Sequence, residues 1–86
     1  MDVEQRVRER AGQLTPTERR IADVLLSRPQ IVAFGTVAEV ADASGAGAAT
    51  VVRFAAKLGF DGFTGMQSEV RSELAHQLRP AAERIR

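Results

Sequence analysis

TVAEVADASGAGAATVVRFAAKLGF, residues 36–60, reads as two short helices joined by a tight turn. Thr36 and Glu39 form a capping-box pattern, in which the threonine hydroxyl takes an orphan amide and the glutamate reaches back. Val37, Val40 and Ala41 recur at helical spacing and give this first helix a buried side. Gly45 supplies a residue that turns the chain with positive φ. A second helical run begins near Gly47 and closes at Gly59. Two helices joined through a glycine-containing turn match the helix-turn-helix layout. Within the second run, Val51, Phe54, Ala55 and Leu58 make one core-facing stripe. Thr50, Arg53 and Lys57 are three and four residues apart on another face and are expected to point outward together.

A hydroxyl, a guanidinium and an ammonium on one exposed helix face are the groups that bind phosphates and base edges of DNA. The expected roles are Arg53 on a base edge or phosphate, Thr50 and Lys57 on phosphates, and Thr36 on a phosphate at its helix start. Ala48, Ala49 and Val52 offer apolar contact to thymine methyls, and the small side chains there allow close approach to a duplex. The expected partner is double-stranded DNA. The same spacing also admits a helical interaction or dimerisation module whose surface charges are merely solvated.

Composition narrows the alternatives. Eighty-six residues suit one small domain, and 44% hydrophobic with 27% charged residues is a globular composition. Twelve basic and 11 acidic residues leave a net charge of +1, so a nucleic-acid contact must rest on local placement of bases. Without cysteine there is no disulfide or thiolate metal site, and His76 is the lone histidine, expected on a helix surface. No metal, cofactor or enzymatic centre is expected from such a set. No stretch approaches the ~18 apolar residues of a membrane span, and the amino terminus lacks a secretory signal. A cytoplasmic protein with no membrane partner is the expectation.

The remaining chain reads as helical too. Val3, Val7 and Ala11 space a narrow apolar stripe over residues 2–13, with Gly12 a weak stop. Thr15-Pro16-Thr17-Glu18 is a strong helix start, and Ile21, Val24 and Leu25 give that helix its buried side until Pro29 ends it. Arg19 and Arg20 are expected in solvent. Residues 30–35 are too apolar for a free linker and are expected to fold under as a short helical turn anchored by Phe34. Asp61-Gly62 is turn chemistry between Phe60 and Phe63, both expected as core anchors. A last helix from about Phe63 places Met66, Val70, Leu74 and Leu78 on one side, with Arg79-Pro80 expected to disrupt or end it. No segment shows sustained strand alternation. The fold class is therefore all-α, a compact bundle of about five helices.

Three runs carry a family resemblance: residues 14–22, LTPTERRIA; residues 36–41, TVAEVA; and residues 49–63, ATVVRFAAKLGFDGF. In this collinear order they resemble the amino-terminal domain of RpiR-type bacterial transcriptional regulators. The resemblance implies a homeodomain-like helix-turn-helix domain over residues 1–78. Residues 79–86 would be a tail leading toward a sugar-isomerase-type effector domain absent from this chain. Such regulators bind a sugar phosphate or related metabolite through that second domain, form dimers, and commonly control carbohydrate metabolism, so the resemblance implies a homodimer. Ala46, Gly47, Gly65 and Gln67 depart from the family pattern. Gly47 stands where a serine often caps the second helix of the pair.

Overall fold

The computed structural model describes the backbone of residues 2–85 and the side chains of residues 2–77. Among these it forms six α-helices: α1 Val3–Arg10, α2 Pro16–Ser27, α3 Pro29–Phe34, α4 Val37–Ser44, α5 Ala48–Lys57 and α6 Gly62–Ile85. A 3₁₀ turn over Ala11–Gln13 joins α1 to α2. The described residues contain no strand. The sixth helix arises because residues 29–34 close a complete helix rather than a single turn. Pro29 opens it at the first position, where a missing amide costs nothing.

Local chemistry sets the helix starts. Asp2 caps α1 by accepting from the Gln5 amide, while Thr15 with Glu18 and Thr36 with Glu39 close complete capping boxes on α2 and α4. Two helix ends share one solution. Gly45 (φ 66°) and Gly59 (φ 89°) adopt the left-handed conformation after α4 and α5. The following amides, Ala46 and Phe60, then donate back to Ala41 and Ala55 at 2.9 and 3.0 Å. Ala46 and Phe60 both press on the core, completing the hydrophobic contact of the Schellman motif.

Ile21, Val32, Val40, Val51, Phe54, Met66 and Val70 are fully buried, so α2 through α6 each send a large side chain into one core. The α4–α5 pair packs against α2, and α6 packs across α5 and α3. Val3 and Val7 of α1 join the same cluster. Phe60, Phe63 and Leu74 are half-buried against it.

Two expectations are corrected. Phe34 is 71% exposed, its ring facing solvent with the Arg71 guanidinium 5.9 Å from its centroid. It ends α3 on the side away from the core, where Val32 and Ala33 already fill the space. The second correction concerns Arg79-Pro80, where helical backbone continues to Ile85. A single proline removes one amide donor, while the rest of the helix keeps its ladder on either side. Leu78, expected on the apolar side of α6, lies outside the residues whose side chains are described.

Phe54→Ala is expected to cost about 3–5 kcal/mol by opening a cavity in the core, where Phe54 is fully buried. Phe34→Ala should stay within about 0.5 kcal/mol of wild type, as for an exposed site. Urea unfolding followed by circular dichroism measures both.

Candidate nucleic-acid interface

The face of α5 turned away from the core is made by Ala48, Ala49, Val52, Arg53 and Ala56, all exposed. Gly47 precedes them as a cap with no side-chain hydrogen bond, leaving this end of the helix unobstructed. Thr50 and Lys57 flank the strip and are half-buried. Ala56 was not among the residues expected there. Its signal was present in the spacing, since it falls four residues after Val52 and three after Arg53.

Arg53 and Thr50 are one unit. The Arg53 Nη2 donates to the Thr50 hydroxyl at 3.2 Å, drawing the guanidinium back toward the amino-terminal half of α5. Lys57 lies apart from them. Its ammonium donates to the Gln13 carbonyl at 2.6 Å and to Glu18 Oε1 at 2.8 Å. The same Glu18 oxygen also accepts from the Thr15 amide at 2.8 Å, so Lys57 plugs into the capping box that starts α2. With the Lys57 side chain 31% exposed and that of Glu18 11% exposed, this pair is largely withdrawn from water. Of the three polar groups expected to emerge together, Arg53 is exposed, Thr50 is half-buried beneath it, and Lys57 is an internal tie.

Thr36 is exposed at the start of α4. Its hydroxyl accepts from the Glu39 amide at 3.1 Å and its own amide donates to Glu39 Oε1 at 3.1 Å. The Glu39 carboxylate therefore shares the surface that a phosphate would approach.

Other helices hold the α4–α5 pair from behind. Arg20 of α2 donates to the carbonyls of Ser44 (3.1 Å) and Gly45 (3.3 Å), fastening the turn itself. Arg6 of α1 donates to the Leu58 carbonyl at 2.9 Å and stacks 4.4 Å from the Phe60 ring centroid. Arg10 donates to the Lys57 carbonyl at 3.2 Å. Gln67 and Arg71 of α6 cap α3 through the carbonyls of Val32, Gly35 and Ala33, fixing the entry to α4. Arg20 is exposed, as expected, but none of these hydrogen bonds is visible in the sequence. Among the described residues, no group of three or more His, Cys, Asp or Glu is placed to hold a metal ion. None of the described helices is long and apolar enough to cross a membrane.

With this geometry in place, comparison with known proteins is specific. Residues 1–77 match the model of the helix-turn-helix domain of the rpiR family. The chain belongs to that family. It is 40% identical over 62 residues to an HTH-type transcriptional regulator of Haemophilus influenzae, covering 72% of this chain and 22% of that protein. It is 33% identical over 73 residues to an HTH-type transcriptional regulator of Caldanaerobacter subterraneus, covering 85% of this chain and 26% of that protein. A third similar protein, bifunctional protein glk of Paraburkholderia xenovorans, is 31% identical over 70 residues, 81% of this chain and 11% of that one. The rpiR-type domain thus spans about a quarter or less of the relatives it matches.

The hydrogen bond from Lys57, the amide of Thr15 and the Lys57 charge hold the Glu18 carboxyl below its ordinary value, outweighing burial. A depressed carboxyl stabilises the fold fully above its unfolded pKa of about 4.3, and that contribution is lost as pH falls through the lower folded value. Glu18→Gln is therefore expected to cost about 1–2 kcal/mol near pH 7. The gap to wild type should narrow as pH falls below about 4.3. Denaturant midpoints of the two proteins, taken from pH 7 to pH 3, measure it.

Proposed function

We propose that this chain is the operator-reading domain of a bacterial transcriptional regulator, laying α5 in the major groove of duplex DNA. One observation carries the reading: α5 is tied to the other helices through Arg6, Arg10 and Lys57, and the turn before it through Arg20, while its outer strip of small side chains bears the Arg53 guanidinium. A rigid helix with one exposed cation among methyl groups is built to enter a groove. Membership of the rpiR-type family and the regulators among its relatives support the same reading.

The domain acts as one half of a homodimer on a two-fold site, in the cytoplasm. A sugar phosphate or related metabolite controls it through a sugar-isomerase-type domain outside these residues. The genes it governs serve sugar or sugar-phosphate metabolism. These finer parts rest on the family resemblance. Arg53 carries base recognition, and Thr36 a phosphate contact at the start of α4. For Lys57 the geometry favours a structural role, because its ammonium is already paired.

Fluorescence anisotropy with a labelled duplex over a salt series tests the reading, since each neutralised phosphate releases counterions and steepens the salt dependence. Binding that weakens with salt is expected, and Arg53→Ala should cost about 1–3 kcal/mol on a specific site with no change in melting temperature. Lys57→Ala should instead lower the melting temperature first. A titration that stays flat at low salt would favour an interaction module that never meets DNA.

A further inference from the structure

The outer strip of α5 has a narrow chemical vocabulary. Ala48, Ala49, Val52 and Ala56 present only methyl groups, and Arg53 presents a head that donates hydrogen bonds and accepts none. Thr50, the remaining hydroxyl on this side, already accepts from Arg53. Lys57 is held by Glu18 and Gln13. No Asn, Gln, Asp or Glu occurs anywhere in α5.

The major groove shows each base pair differently. Guanine offers two acceptors side by side, adenine one acceptor and one donor, cytosine a donor, and thymine an acceptor with a methyl group. A donor-only fork matches guanine O6 and N7 bidentately. The adenine and cytosine amino groups find no carboxylate or amide acceptor on this helix, and the half-buried Thr50 hydroxyl is engaged by Arg53. Methyl side chains next to the fork match thymine methyls. The hydrogen bond from Arg53 to Thr50 decides where the fork sits, because it draws the guanidinium over the first turns of α5, the part of a recognition helix that meets base edges. Holding a rotamer-rich side chain in place before binding also reduces the entropy lost on contact.

We propose that each domain reads its half-site through a single guanine, gripped by Arg53, with neighbouring thymine methyls packed on Ala49 and Val52, and that Thr50 is the positioning residue for Arg53. This rests on the DNA-binding reading above and narrows it to a class of site. Base pairs beyond these few are read through duplex shape or not at all.

Selection from a random duplex library at low salt, using the 86-residue chain, supplies the sites. One dominant guanine per half-site with adjacent thymines is the expected result. Replacing that guanine by 7-deazaguanine removes one acceptor and should weaken binding about fivefold. Replacing a neighbouring thymine by uracil removes a methyl and should weaken it about threefold. Thr50→Val should lower the preference for guanine over adenine about fivefold without changing the melting temperature. Thr50→Ser should retain the preference. Dominant adenine or cytosine, indifference to 7-deazaguanine, or Thr50→Val behaving as wild type would overturn the inference. Duplexes retained without base preference would sink this inference alone. No duplex retained at all would sink the DNA-binding reading and this one with it.

Discussion

Every helix ends in carbonyls that its own ladder cannot satisfy, and a domain of short helices has many such ends for its size. Here the problem is solved between helices. Arg20 reaches from α2 to the end of α4, Arg6 and Arg10 from α1 to the end of α5, and Gln67 and Arg71 from α6 to the end of α3. A cation at a helix carboxyl end also meets the negative pole of the macrodipole, so each arginine contact gains from charge as well as from the hydrogen bond, while Gln67 contributes the hydrogen bonds alone. These bonds are directional where the apolar core is not. The core brings α2, α5 and α6 together, and the caps fix how far along and at what rotation they meet.

Lys57 and Glu18 extend the same logic to α5. Glu18 Oε1 receives both the Thr15 amide and the Lys57 ammonium, so the oxygen that starts α2 also anchors the last turn of α5. A one-residue change at this point alters the start of one helix and the seat of another. That coupling explains why a lysine spaced for the outer face is absent from it. A carboxylate sheltered from water offers an ammonium more than an exposed surface does, because solvent screens surface pairs almost completely.

What the sequence revealed was local. The two capping boxes, the turns at Gly45 and Gly59 and the buried stripe of α5 are patterns within about one helical turn, and each stands in the fold as spaced. What it hid was non-local. Arg20 meets Ser44 across 24 residues, Lys57 meets Glu18 across 39, and Arg6 meets Leu58 across 52. No spacing rule links such pairs, and an arginine bound for a carbonyl looks in sequence like one bound for water. Phe34 was misplaced for the opposite reason. Large apolar residues usually lie inside, but apolar atoms also make up much of any surface, and a helix only six residues long has few inward positions. Ala56 was overlooked because a methyl group on an outer face looks like filler until its neighbours are seen to be methyl groups as well.

Spending cations on internal carbonyls has a consequence for binding. Affinity for DNA draws heavily on phosphates neutralised and counterions released, and each committed guanidinium is one fewer to offer. With a net charge of +1, one domain exerts little long-range pull on a polyanion. In the dimer proposed above, two domains joined on adjacent half-sites would change the arithmetic, since the second contact forms at the high effective concentration set by the first. Nearly neutral reading heads would gain discrimination from that arrangement, because a random sequence rewards neither head while a two-fold site rewards both. The interlocked helix ends thus connect stability to selectivity: the cations that make α5 rigid are the ones withheld from indiscriminate contact with phosphate.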